Sequence, residues 1–242
     1  MQIVILTALG VGGATIAGAV IGFACKGLTQ RFSGPITALS AGVMLAAAIL
    51  GLILPSMEYG GALGLLTTVA GIFAGAACIR LLEGLVPCFQ RLAGLDSNCL
   101  NPNAQGILLF VAAIAIHNLP EGLAAGVSFG TENTAHALLI AGGIALQNVP
   151  EGMVIIAPML AAGISPRRTF IIGLTTGLIE VVGTLLGYVA VTIASTILPF
   201  ALAFAGGTML YVIAEEMIPQ SRRALWLLAG FCFMLACDSL IG

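Results

Sequence analysis

The chain has 242 residues, of which 60% are hydrophobic and 7% are charged, and its mean hydropathy is +1.14. Soluble domains carry about 25% charged residues, so this composition excludes an ordinary globular protein with a hydrated surface. Eight Lys and Arg face ten Asp and Glu, and the lack of a basic excess excludes nucleic acid as a partner. The composition fits a polytopic membrane protein, with the lipid bilayer as its surroundings.

Eight apolar segments are long enough to cross a bilayer as helices, which takes about 20 residues each. Cutting the chain at its charges and its Pro and Gly clusters places predicted spans 1 to 8 at residues 2–25, 34–55, 61–82, 105–130, 135–162, 169–194, 199–218 and 223–241. The connections are short, and the longest one, at 83–104, is rich in Pro, Asn and Asp, as loops are. We therefore expect an all-α fold in which residues 1–242 form a single transmembrane domain.

The basic residues predict how the chain is oriented in the membrane. All of them lie in or beside every second connection, on one side: Lys26, Arg31, Arg80, Arg91, Arg167, Arg168, Arg222 and Arg223. Because cytoplasmic loops are enriched in Lys and Arg, this side is predicted to be cytoplasmic. With an even number of spans, both termini are then extracytoplasmic. We expect a multi-pass protein of the cell membrane, whether inner or plasma membrane.

Spans 2 and 7 contain a short internal repeat. In each, a proline follows the alanine of an Ala-Gly pair by 14 residues: Ala41 and Pro55 in span 2, Ala205 and Pro219 in span 7. The two spans cross the membrane in opposite directions in the predicted topology. Such a match is typical of a transporter with an inverted repeat, here spans 1–3 and 6–8 around spans 4 and 5 in a 3+2+3 arrangement. Coincidence among small apolar residues is the alternative.

Three spans carry polar side chains near their middle, where ionisable groups are costly and usually functional. They are His117, Asn118 and Glu121 in the sequence HNLPEG of span 4, Gln147, Asn148 and Glu151 in the sequence QNVPEG of span 5, and Glu180 in span 6. The two six-residue segments share their Asn, Pro, Glu and Gly positions, and we refer to them as the first and second motif.

The spacing within the motifs is that of metal ligands. His117 and Glu121 are four residues apart and share one helix face, and Gln147 and Glu151 repeat this arrangement. Two such faces in contact bring imidazole, carboxylate and amide oxygen together, a donor set that suits a divalent first-row metal. A structural hydrogen bond or a proton relay would explain one buried His–Glu pair. The second motif and Glu180 favour a metal site instead.

These motifs, in the fourth and fifth of eight spans, resemble those of the ZIP family of zinc/iron-regulated-transporter-like proteins. The resemblance covers the whole chain and is to a minimal, prokaryotic-type member. It implies an importer that moves divalent metal into the cytoplasm, with zinc as substrate and cadmium, iron and manganese as further candidates. It also implies an elevator-type carrier, in which spans 1, 4, 5 and 6 move against the others.

The resemblance further implies a binuclear metal site. One position would use Met44, His117, Glu121, Gln147 and Glu151, and the other would use Asn118, Glu121, Asn148, Glu151 and Glu180. The glutamates of the two motifs would bridge the two ions. Met44 enters through the resemblance alone, because a lone methionine in an apolar helix is usually a packing residue. Gln147 departs from the family pattern, since many members have histidine there.

Two other functions stay open from the sequence. A selective divalent-metal channel would use the same ligands as a filter. An intramembrane metalloenzyme would need an activated water with a base or nucleophile, and no residue beyond the ligands fills that role, so we expect no enzymatic activity. A homodimer is a further candidate assembly.

Three polar residues outside the motifs have open roles. Glu215 and Glu216 lie at the cytoplasmic end of span 7, where they could form interfacial salt bridges with the nearby arginines or could line a metal exit. His136 lies near the junction of spans 4 and 5, where we expect a solvated turn.

Overall fold

Helices account for every regular element in the parts of the chain that the computed structural model describes, residues 1–92, 118–131, 133–161, 164–221 and 223–241. They are α1 (Gln2–Ala24), α2 (Lys26–Ala46), α3 (Leu54–Tyr59), α4 (Gly64–Leu92), α5 (118–127), α6 (Thr134–Ala161), α7 (Pro166–Ile193), α8 (Leu198–Val212), α9 (Ile218–Ser221) and α10 (Ala224–Ile241). Within these ranges, six helical segments are long and apolar enough to cross a membrane, and Ala224–Leu240 is a shorter apolar helix. The described part of predicted span 4 corresponds to α5.

Predicted spans 2 and 7 each contain a π-helix in the same place relative to a proline. One π-helix, Ala47–Ile53, joins α2 to α3, and the other, Ile213–Met217, joins α8 to α9. In both cases the residue before the proline donates its N–H to a carbonyl five residues back, Leu54 to Ile49 and Ile218 to Ile213. A proline cannot donate the usual helical bond, and the wider π turn ahead of it accommodates that change.

Two predicted boundaries are wrong, because the helices continue beyond the apolar segments. The second helix begins at Lys26 rather than at 34, with Cys25 alone separating it from α1, and it contains Pro35. The third ends at Leu92 rather than at 82, so the first part of the predicted loop 83–104 is helical. Charges and prolines mark where a chain leaves the lipid, whereas a helix can continue into water while its backbone bonds are satisfied within it.

The outer surface of the bundle is apolar and its interior contains the polar groups. Large hydrophobic side chains point outward, with Phe73 at 71% and Leu225 at 82% exposure. Asn118, Asn148 and Glu180 are completely buried. This distribution is the reverse of that in soluble proteins, and it suits a protein whose outer surface contacts lipid.

Glycines bring α1, α5, α6 and α7 into backbone contact. A Cβ atom added at Gly18 of α1 would lie 2.1 Å from the carbonyl oxygen of Val149 on α6. A Cβ added at Gly126 of α5 would lie 2.1 Å from the carbonyl oxygen of Thr184 on α7. Helix α1 also packs along α7. Small residues permit such close approach between helices in lipid, and we call these four helices the first group.

A second group consists of α2 with α10 and of α4 with α8. A Cβ at Gly42 of α2 would lie 1.9 Å from the carbonyl oxygen of Leu227, and one at Gly75 of α4 would lie 2.2 Å from that of Phe204. Contacts between the groups include the packing of α2 along α6. The Met234 side chain of α10 also lies close to Gly143 of α6.

We expect Gly42→Ala to destabilise the protein. The added methyl would meet the Leu227 carbonyl at 1.9 Å, and overpacking costs about 1–3 kcal/mol. Gly10→Ala is the matched control, because a Cβ there meets nothing within 4 Å. Thermal unfolding in detergent should show a lower Tm for Gly42→Ala alone, and equal Tm values for the two variants would contradict the close contact of α2 with α10.

Candidate metal site

The two motifs lie on neighbouring helices that continue through their prolines. Pro120 lies within α5 and Pro150 within α6, and neither helix ends there. The polar side chains Asn118 and Glu121 of α5 are buried, as are Gln147 and Asn148 of α6. They meet at α7, which contributes Glu180.

The carboxylate of Glu180 accepts three hydrogen bonds from three different helices. Its Oε1 accepts one from the Thr15 hydroxyl of α1 at 2.5 Å and one from the Asn118 amide of α5. Its Oε2 accepts one from the Asn148 amide of α6 at 2.5 Å. Burying a carboxylate is costly unless such donors replace water, so these three bonds allow Glu180 to be completely buried.

A second polar contact joins the motifs directly. The Gln147 amide of α6 donates a hydrogen bond to Oε1 of Glu121 on α5 at 2.8 Å. The same amide nitrogen lies 3.5 Å from Oδ1 of Asn148. The Glu121–Gln147 pair is therefore adjacent to the amides that hold Glu180.

Three buried oxygen atoms of this cluster have no hydrogen-bond partner among the described residues. They are Oδ1 of Asn118, Oε2 of Glu121 and Oε1 of Gln147. Buried polar atoms nearly always have a partner, and these three are carboxylate or amide oxygens, which bind divalent cations. These residues thus offer a cation three oxygen atoms as ligands.

Glu151 completes a group of repelling carboxylates. It is partly exposed, and Glu121 and Glu180 each interact with it electrostatically. Glu216 of the π-helix acts on Glu151 in the same way. Within the described ranges no three His, Cys, Asp or Glu side chains converge on one point.

The structure brings together five of the eight predicted ligands. Asn118, Glu121, Gln147, Asn148 and Glu180 form the hydrogen-bonded cluster. Glu151 joins it electrostatically. Met44 is buried in the apolar core, and none of the cluster's hydrogen bonds involves it. His117 lies outside the described residues.

Thr15 is a member of the cluster that the sequence did not predict. It lies on the face of α1 that also carries Gly12 and Gly18, which pack against α7 and α6. A single polar residue on a face of small residues is the signal that could have identified it, because that face is the one that meets other helices.

The glycines of the motifs position the two neighbouring helices. A Cβ at Gly122, which follows Glu121, would lie 2.3 Å from the carbonyl oxygen of Glu180. A Cβ at Gly152, which follows Glu151, would lie 2.2 Å from the carbonyl oxygen of Thr15. Each motif glycine thus allows a neighbouring helix to approach at a residue whose side chain enters the cluster.

Among the polar residues outside the motifs, His136 has different surroundings from those expected. His136 lies in the first turn of α6 rather than in a solvated loop, because its N–H donates to Oδ1 of Asn133 and caps the helix. Its Nε2 lies 3.6 Å from Oδ1 of Asp238 on α10. Glu216 has the acidic residues Glu83 and Glu151 within electrostatic range. The interfacial salt bridges predicted for Glu215 and Glu216 stay a prediction, since one of the two arginines is outside the described residues.

Comparison with known proteins identifies the family to which the chain belongs. Residues 97–238 match the family described as ZIP Zinc transporter. The chain is 36% identical to "Zinc transporter GufA" of Myxococcus xanthus, over 96% of each protein. The chain belongs to the ZIP zinc transporter family. The resemblance predicted from the motifs is therefore confirmed.

Other ZIP relatives match over different shares of their length. The chain is 34% identical to "Zinc transporter ZupT" of Chlorobaculum parvum, over 88% of this chain and 85% of that protein. It is 43% identical to "Zinc transporter ZIP11" of Xenopus tropicalis over 152 residues, which are 56% of this chain and 44% of that longer protein. The names of all three relatives describe transport rather than catalysis.

The hydrogen bond to Oε2 of Glu180 should contribute to stability even without metal. Asn148→Leu removes the donor and leaves a buried carboxylate oxygen without a partner, which costs about 1–3 kcal/mol or more for a charged group. We expect a lower Tm in metal-free detergent solution. In a Glu180→Leu background the same change should cost much less, because coupled residues are not additive. Equal losses in both backgrounds would contradict the hydrogen bond.

Proposed function

We propose that this ZIP protein is a carrier that moves divalent transition-metal ions into the cytoplasm through the cluster on α5, α6 and α7. The three buried oxygen atoms without partners are the observation that carries the proposal, because they lie among repelling carboxylates inside an apolar bundle. A divalent cation would satisfy the oxygens and reduce the repulsion. Zinc is the proposed substrate, since relatives of nearly full length are named zinc transporters. Cadmium, iron and manganese are further candidates.

We assign the ligands to a binuclear site. The first ion would be held by Met44, His117, Glu121, Gln147 and Glu151, and the second by Asn118, Glu121, Asn148, Glu151 and Glu180. A ligand role for Glu121 is supported by its open Oε2, while its Oε1 accepts a hydrogen bond from Gln147. The amide groups of Asn118 and Asn148 point their nitrogens at Glu180. Oδ1 of Asn118 is then open to metal, whereas Oδ1 of Asn148 accepts from the Gln147 amide at 3.5 Å.

The proposed orientation and location rest on the basic residues, and the proposed inward direction of transport rests on the resemblance to the ZIP family. They lie on the side that we assign to the cytoplasm of the cell membrane, with both termini outside and residues 1–242 as a single transporter domain. Acidic side chains lead from the site toward this side, since Glu216 is within electrostatic range of both Glu151 and Glu83. Metal exit and an interfacial salt bridge both stay predictions for Glu216.

An elevator-type movement is supported by the two groups of helices. Backbone contacts at glycines join α1 to α6 and α7 and join α5 to α7, whereas at Gly143 of α6 the neighbour from the second group is the Met234 side chain. Contacts through side chains can re-form after a shift more readily than interlocked backbones can. The matching π-helices ahead of Pro55 and Pro219 support the 3+2+3 inverted repeat, which is a common transporter architecture.

Metal influx into sealed liposomes tests the proposal. Purified protein should admit zinc at a rate that saturates with metal concentration, and cadmium, iron and manganese should be tested alongside. Flux that does not saturate would support a channel instead of a carrier. The absence of flux for all four metals would refute transport by this site.

The motif glutamates should be essential for transport but not for folding. Glu121→Gln and Glu151→Gln each replace a bridging carboxylate, and we expect zinc flux to fall at least tenfold, since loss of even an outer partner of a ligand costs about 10–100-fold. Glu58→Gln is the matched control, because Glu58 is exposed on α3. Size-exclusion profiles identify any variant that misfolds. Near-normal flux in a folded Glu121→Gln protein would exclude the bridging role.

We expect the first metal position to be less selective for zinc with Gln147 than it would be with a histidine there. Its free Oε1 is an amide oxygen, whereas zinc and cadmium gain more than manganese from a nitrogen ligand. Gln147→His should therefore tighten zinc or cadmium binding more than manganese binding, which competition titrations would measure. It should also slow turnover, because tightly held metal is released slowly. An unchanged zinc-to-manganese preference would mean that Gln147 does not contact the ion.

A further inference from the structure

We infer that Thr15 of α1 is a positioning residue that sets the strength of metal binding by fixing the Glu180 carboxylate. The inference rests on the proposed function, since Glu180 is one of the assigned ligands. Thr15 is completely buried, and its hydroxyl donates to Oε1 of Glu180 at 2.5 Å.

The direction of the Thr15 hydroxyl distinguishes it from three other buried threonines of this protein. Thr176, Thr184 and Thr208 each donate to a carbonyl three or four residues back in their own helix, which is the usual bond of a helical threonine. The Thr15 hydroxyl instead donates across to α7. It therefore contributes to the arrangement of another helix rather than to its own.

Thr15 also differs from the other two donors to Glu180. Asn118 and Asn148 are assigned as metal ligands, so their amide groups must adjust when an ion binds or leaves. The Thr15 hydroxyl has no such second role. It can hold Oε1 of Glu180 in both the loaded and the empty site.

The backbone around Thr15 is fixed by the second motif. Gly152 allows the Thr15 carbonyl to approach so closely that a Cβ would lie 2.2 Å from it. The first motif does the same for Glu180 through Gly122, where the distance is 2.3 Å. Both ends of the Thr15–Glu180 bond are thus placed by the motifs themselves, which is what a positioning contact requires. Outer partners of ligands typically change metal affinity by about 10–100-fold when removed.

Equilibrium binding of Zn²⁺ to the purified full-length protein in detergent tests this role. Thr15→Val keeps the shape of the side chain and removes the hydroxyl, and we expect zinc affinity to fall about tenfold. Thr15→Ser restores the hydroxyl and should bind within about twofold of wild type. Thr169→Val is the matched control, because Thr169 is equally buried but its hydroxyl has no partner among the described residues. It should leave the affinity unchanged.

Two results would overturn the inference: a folded Thr15→Val protein that binds zinc like wild type, or a Thr15→Ser protein that binds as weakly as Thr15→Val. The second would mean that packing at this position matters rather than the hydroxyl. If Thr15→Val does not fold, Thr15→Ala removes the same hydroxyl with a smaller side chain and is judged by the same criteria. Failure of wild-type flux in liposomes would refute transport, whereas the binding titration tests Thr15 independently.

Discussion

The Glu180 carboxylate can lie inside an apolar bundle only because hydrogen-bond donors surround it. A buried charge without partners costs several kcal/mol, and here α1, α5 and α6 each supply one donor. This requirement fixes three helices relative to the fourth. The polar cluster is therefore a structural centre of the first group of helices as well as the proposed binding site.

The donors reach Glu180 because glycines let the helices touch. Gly122 and Gly152 accept the backbones of α7 and α1 at distances that exclude any Cβ. Glycine within a helix costs about 0.5–1 kcal/mol relative to alanine, so its use beside the motif glutamates has a stability cost. That cost is offset by contacts that a larger residue would prevent. The motifs thus encode helix packing and ligand chemistry in the same few residues.

The sequence was sufficient for the helical class, the approximate spans and the motif residues, because apolar length and intramembrane polarity are local signals. It misplaced the ends of α2 and α4, since charges mark the membrane boundary and not the last helical residue. It also missed Thr15. A threonine acquires its role only when another helix brings an acceptor, and that is a tertiary event with no local signal beyond a face of small residues.

Under the proposed inverted repeat, α1 corresponds to α7 and α6 corresponds to α5, so Thr15 occupies the place in one half that Glu180 occupies in the other. The motif glycines contact these two positions in the same way. A second glutamate at Thr15 would add a fourth carboxylate beside Glu121, Glu151 and Glu180, and like charges at close range disfavour one another. The Thr15 hydroxyl donates a hydrogen bond to Glu180, whereas a carboxylate at that position would repel Glu180. The proposed repeat is therefore asymmetric at this pair of positions, where Glu180 supplies a charge and Thr15 holds it in place.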